Sequence, residues 1–330
     1  MKKRLLNTIL VLSIAILTGC NSNEISALPP SLSTGPSVVE DSESVSTLPP
    51  SESVSSELPS QSEEVSTQPP SASTKPDSEQ VSESVSTLPP SYNSSQLGSA
   101  FDGYYSNVNF NTTGTALLSE LRSLNSSKRK FTPGYKNLGK YFPQTDGDPE
   151  KPGNIIAFYS GTSVSFNGSF SGNVNREHVW PNSHGGNQVE GDLHMTRPTI
   201  ASENGSRGNS FYVEGMKHSS NGWDPAMESF GLEEYRGISA RIIFYCVIAS
   251  NSLKLVEAEK GSSGDNSMGK LSDLLKWNLE YDIDETEIRR NEATLKIQGN
   301  RNPFIDDRTL ACRVWGNTNN ATKEVCRNAI

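Results

Sequence analysis

The chain has 330 residues, of which 33% are hydrophobic, and a net charge of −9. Its mean hydropathy of −0.54 implies that part of it is too polar to pack into a core. Beyond the first twenty residues no apolar run approaches the roughly 20 residues of a membrane-spanning helix, so a multi-span membrane protein is excluded.

Lys2, Lys3 and Arg4 precede a mostly apolar run from Leu5 to Leu17. Leu17-Thr18-Gly19-Cys20 then resembles a bacterial lipobox. Residues 1–20 therefore predict a lipoprotein signal peptide, with a lipidated Cys20 holding the mature chain to the outer face of the cell membrane. The alternatives are an ordinary secretory signal with an incidental cysteine, and a single membrane-spanning anchor.

Residues 21–99 are rich in Ser, Glu, Pro, Thr and Val. The phrase Ser-Ala/Thr-Leu/Gln-Pro-Pro-Ser starts at Ser26, Ser46, Ser66 and Ser86, a period of 20 residues. Such a period suits a solenoid, but there are too few large apolar side chains to bury between units. The tract predicts a disordered, partly polyproline stalk. A spacer function fits it, and a protein-binding role is the alternative, although no protein partner is indicated. With eleven acids and one lysine the tract carries −10, which leaves −2 for the residues from Ala100 onward. The acidity belongs to the stalk, and a near-neutral domain leaves room for a basic cleft.

Residues 100–310 predict the folded domain. Leu117, Leu118, Leu121 and Leu124 have helical spacing, predicting a helix over Thr115–Leu124. Asn154–Tyr159 predicts a buried strand after the turn at Pro152, and Val164–Phe170 a weaker one. Tyr235, Ile238, Ile242, Tyr245 and Val247 predict a long core helix starting near Leu232. Further helices are predicted over Lys270–Asn278 and Asp284–Gln298, the latter with an acidic first turn that suits the helix dipole. Residues 311–330 predict a polar tail. Cys312 and Cys326 lie in it and are free to pair outside the membrane, although spacing alone fixes no connectivity. Cys246 predicts a buried thiol.

The densest chemistry lies between Asn175 and Asn209. It runs Asn175-Arg176-Glu177-His178-Val179-Trp180-Pro181, then Gly191-Asp192-Leu193-His194, then Glu203-Asn204-Gly205-Ser206-Arg207-Gly208-Asn209. A strand ending at His178, a second over Gly191–Arg197 closed by Pro198, and a short helix over Thr199–Arg207 capped near Thr199 would bring Asn204 back to Glu177. On a strand, Glu177 and His178 point to opposite faces, so one site uses both only at an irregularity or across the strand's edge. A carboxylate and an amide oxygen, completed by water, suit Mg²⁺.

These blocks, with Arg289-Arg290-Asn291 and Gln298-Gly299-Asn300-Arg301-Asn302-Pro303 in the same order, resemble the bacterial endonuclease I and extracellular nuclease family. The resemblance spans about Tyr104 to Asp307. It implies an α+β, helix-rich domain built around a ββα-metal (His-Me) finger. It also implies a divalent-metal-dependent endonuclease of low sequence specificity, acting on DNA and/or RNA and leaving 5′ phosphates. His178 is then the general base, and Glu177 and Asn204 hold Mg²⁺, with Mn²⁺ or Ca²⁺ as alternatives. Arg197 acts at the reacting phosphate. Arg207, Asn209 and Arg301 contact substrate, and for Arg301, with Gln298 and Asn300, a packing role stands beside that one. His194 is expected to tie the second strand to the finger, and His218 to lie at the surface. The cysteine-rich insert that some members of the family carry between the finger strands is absent, which shifts phosphate clamping to Arg197 or another cation. A monomer is expected. The competing hypothesis is an inactive surface adhesin that retains the nuclease fold; the intact Glu177, His178 and Asn204 set weighs against it. Zinc hydrolases are disfavoured, because there is no H-E-x-x-H and no spaced ligand triad.

Overall fold

The computed structural model describes residues 94–170, 172–217 and 222–329. The segments expected to be a signal peptide with Cys20 and a stalk, apart from residues 94–99, and His218 lie outside the described residues.

In chain order the elements are α1 (Ser94–Leu97), α2 (Gly114–Lys128), α3 (Phe142–Thr145), β1 (Asn154–Ile156), β2 (Ser163–Ser165), β3 (Val174–His178), β4 (Thr196–Ile200), α4 (Ala201–Arg207), α5 (Tyr235–Ala249), β5 (Lys254–Leu255), β6 (Ser267–Met268), α6 (Leu271–Glu280), α7 (Glu285–Gln298), α8 (Pro303–Asp306), α9 (Thr309–Trp315) and α10 (Asn320–Cys326). The fold is α+β, as the resemblance implied. Each strand belongs to a two-stranded ribbon: β1–β2 and β3–β4 are antiparallel, and β5–β6 is parallel.

α5 is the centre of the main core. Its run Ile242-Ile243-Phe244-Tyr245-Cys246-Val247-Ile248 is buried throughout, as expected of a helix apolar on every side. α2, α6 and α8 pack on it, and α9 links α2, α6, α8 and α10. Cys246 is a free, buried thiol. α5 starts a little later than Leu232, after a turn in which the Tyr235 N–H donates to the Leu232 carbonyl and the Arg236 N–H to the Glu233 carbonyl.

α7 begins where its acidic first turn predicted. The Asp284 side chain accepts the Glu287 N–H at 2.7 Å and so caps it. Residues after 310, read from the sequence as a polar tail, instead pack as α9 and α10. Leu310, Ala311 and Cys326 are buried. Asn319 and Thr322 form a capping box that starts α10, and Cys312 pairs with Cys326. A second, smaller core of Leu138, Phe142, Ile155, Phe166, Val174 and Leu193 lies under the β3–β4 ribbon.

Candidate functional site

β3 and β4 pair with Glu177 opposite Arg197 and His178 opposite Thr196, and α4 follows directly, giving a ββα unit. The second strand starts at Thr196, not Gly191, and Pro198 lies inside it opposite Arg176. A two-stranded ribbon tolerates this because the outward side of each strand needs no ladder partner. Residues before Thr196 turn instead: Asp192 Oδ1 accepts the His194 N–H at 2.9 Å. Thr199 sits in β4, and its hydroxyl donates to the Phe158 carbonyl at 3.0 Å, so it does not cap α4.

β3 is regular up to His178, so its side chains alternate. Glu177 and Arg197 point into the protein, and Arg176 and His178 to the other face. Glu177 is only 1% exposed. Its Oε1 accepts the Tyr159 hydroxyl at 2.8 Å and lies 3.4 Å from Arg207 Nε. Its Oε2 has no protein donor among the described residues. Burial raises the carboxyl above its ordinary range, and Arg207 and Tyr159 oppose that shift.

On the opposite face the His178 ring lies 4.9 Å from that of Tyr135. Its Nε2 is 3.4 Å from Glu190 Oε2. With the proton on Nε2 directed at that carboxylate, Nδ1 keeps its lone pair. Burial lowers the imidazole's proton affinity, and Glu190 partly restores it. Arg176, two residues earlier, stacks its guanidinium 4.1 Å from the Tyr135 ring and 4.3 Å from the Phe170 ring, with Nε unpartnered among the described residues. The chain leaves the strand at Val179, so the fully buried carboxylate and the mostly buried imidazole on the opposite face both border the end of β3.

α4 supplies the amide. Asn204 and Arg207, three residues apart, share a helix face, and Arg207 reaches Glu177. Asn204 is half-buried, and its side chain has no hydrogen-bond partner among the described residues. Asn209 is exposed just beyond α4. Arg207, expected at the substrate, is fully buried. Its Nη2 donates to the Val179 carbonyl at 2.9 Å and its guanidinium lies over the Tyr212 ring, so it fixes Glu177 from behind.

Two further expectations are corrected by burial and pairing. Arg197 is 6% exposed. Its Nε donates to Asp146 Oδ1 at 2.9 Å, an oxygen that also takes Arg290 Nε at 3.0 Å. Arg301 donates from Nε and Nη2 to the two oxygens of Asp306 at 2.6 and 2.7 Å, which is a bidentate structural pair. Neither guanidinium is free to clamp a phosphate. Gln298 and Asn300 are equally interior. Gln298 Nε2 donates to Asp192 at 2.8 Å, and Asn300 Nδ2 to Asn125 Oδ1 at 2.8 Å. His194 ties the loop before β4 to this block, with Nε2 3.1 Å from the Asn300 carbonyl. His184 is buried beside Asp265.

Sequence reasoning missed Tyr159 and Glu190 and gave Arg176 no role. Arg176 had a signal, since it shares a strand face with His178. Tyr159 sits at φ 79°, a strained conformation for a non-glycine residue, and its sequence gives no hint of that.

No cluster of three or more His, Cys, Asp or Glu that could hold a metal occurs among the described residues. The unpartnered Glu177 Oε2 and Asn204 amide fit a hard cation that takes few protein oxygens and keeps its waters.

The Endonuclease I family model matches residues 113–309. An extracellular ribonuclease of Bacillus amyloliquefaciens is 34% identical over 225 residues, covering 62% of this chain and 75% of that protein. An extracellular ribonuclease of Bacillus subtilis (strain 168) is 32% identical over 236 residues, 65% of this chain and 78% of its own length. Endonuclease-1 of Buchnera aphidicola subsp. Baizongia pistaciae (strain Bp) is 31% identical over 133 residues, covering 36% and 47% respectively.

Proposed function

The chain belongs to the endonuclease I family, and from that membership we propose that it is an extracellular, divalent-metal-dependent endonuclease that hydrolyses phosphodiesters of RNA and/or DNA. The similarity to two extracellular ribonucleases supports placing its work outside the cell. Attachment through a lipidated Cys20 is part of the same proposal and rests on the lipobox.

The observation that carries this reading is a buried carboxylate, Glu177, next to an oriented imidazole, His178, at the end of β3. Among the described residues Glu177 Oε2 and the Asn204 side chain have no hydrogen-bond partner, and Glu190 holds His178 at the same strand end. His178, kept neutral by burial, accepts a proton from the attacking water at Nδ1. Glu190 orients the ring and stabilises the imidazolium that forms. Arg176, on the imidazole's face of β3, offers positive charge to the phosphate. Glu177 and Asn204 would hold the metal, which when bound supplies Lewis-acid stabilisation of charge on the phosphate and the leaving oxygen. Arg207 and Tyr159 set the Glu177 carboxylate in place.

The test is cleavage of plasmid DNA and of a transcript by the purified protein in Mg²⁺, with and without chelator, alongside His178→Ala. Chelator-sensitive cleavage that the variant lacks is expected. Intact substrates in Mg²⁺ would end the proposal.

A further inference from the structure

A polar cleft of about 490 Å³ lies between α2 and the C-terminal end of α5. It is lined from α2 and the residue after it by Ser119, Arg122, Ser123, Asn125, Ser126 and Arg129. These positions recur at helical spacing on one side of α2, and the lining has two arginines and no carboxylate. Nothing in the proposed chemistry uses it.

The cleft is built, not incidental. Arg122 is anchored by its Nε, which donates to the Val247 carbonyl at 3.0 Å, so its terminal nitrogens are held at the cleft. Arg129 is anchored through Nη1 on Asp192 Oδ2 at 3.1 Å. Asn125 is only 3% exposed. Its Oδ1 accepts from Asn300 Nδ2 at 2.8 Å, which turns its own Nδ2 the other way, and that Nδ2 has no acceptor among the described residues. An amide donor with no protein acceptor among the described residues, set beside two fixed guanidiniums and three hydroxyls with no carboxylate, suits an anionic oxygen.

The cleft is also tied to the site. Asp192 holds Arg129, and two residues earlier Glu190 holds His178. The Cα atoms of Glu190 and Asp192 are at most about 7.6 Å apart. From Arg129 the chain runs on through Lys130 to Tyr135, whose ring packs on His178.

We propose that this cleft binds the phosphodiester backbone of the same nucleic-acid strand, away from the bond being cut. The inference rests on the nuclease reading. It makes Arg122, Arg129 and Asn125 substrate-positioning residues that carry no base information.

The experiment compares a long oligonucleotide with a dinucleotide that reaches only the cleavage site, using the full protein, Arg122→Gln and Ser126→Glu. Ser126 is exposed on α2, so its replacement does not threaten the fold. For each variant KM for the oligonucleotide should rise on the order of tenfold. The ratio of oligonucleotide to dinucleotide kcat/KM should fall by the same factor. The salt dependence of oligonucleotide binding should lose roughly 0.7 to 0.9 of log–log slope per contact removed. Inorganic phosphate should compete only weakly if a polynucleotide is the occupant; strong competition would make the cleft a site for free phosphate and overturn the proposal. An unchanged ratio in both variants, with wild-type cleavage intact, would sink the cleft and leave the nuclease. Absence of cleavage and of binding by wild type would sink the nuclease reading itself.

Discussion

Arg207 Nε lies 3.4 Å from Glu177 Oε1, and both side chains are out of water. The helix that follows the finger's second strand thus returns a cation to the residue expected to hold the metal. A carboxylate at that depth would otherwise take up a proton, which would spoil it as a ligand. Tyr159 adds a hydroxyl donor on the same oxygen, and the other oxygen has no protein donor among the described residues.

Arg207→Met should therefore leave a buried acid without its counter-charge. The expected cost is about 3–5 kcal/mol in urea unfolding without metal. The Mg²⁺-induced rise in Tm should shrink with it, because a protonated Glu177 is a poor ligand. An unchanged unfolding midpoint would show that the pair does not hold the carboxylate.

How much of this was legible follows the distance along the chain. The ββα unit that carries Glu177, His178 and Asn204 was readable because it is local and its residues come in one block. The charges of Arg197, Arg207 and Arg301 were also visible, but sequence shows sign and not depth, and folding turned all three inward. Tyr159 and Glu190 were not legible, because only the packing brings them to Glu177 and His178. α9 and α10 were missed because seven residues are too few for a helical period to stand out.

His194 contributes to the acid sensitivity of the fold. It is buried, and its proton affinity falls to about 4 from the ordinary 6.5, chiefly through burial. The unfolded chain therefore takes the proton first. The stabilisation is complete above about 6.5 and is lost as pH falls toward about 4, a change of roughly 3 kcal/mol. His194→Gln should flatten that slope in chemical unfolding across this pH range. A variant slope as steep as wild type would assign the acid sensitivity elsewhere.

The Cys312–Cys326 bridge closes a 14-residue separation around α9 and α10. Its loss should cost about 3 kcal/mol through the freed unfolded chain. Cys326→Ser should lower Tm, and a reducing agent should bring wild type to the same value. Equal Tm values for oxidised and reduced protein would mean that packing alone holds these helices.

Arg301 offers the sharpest separation of structure from catalysis. Its bidentate pair with Asp306, its contact with Glu292 at 2.7 Å and its stacking 4.0 Å from the Phe101 ring all lie within the protein. Arg301→Ala should cost about 3–5 kcal/mol by stranding Asp306, while KM measured well below the variant's Tm stays at the wild-type value. Arg301→Lys should recover little of the loss, since a lysine cannot reproduce the two-pronged contact. A stable variant with a raised KM would return this arginine to the substrate.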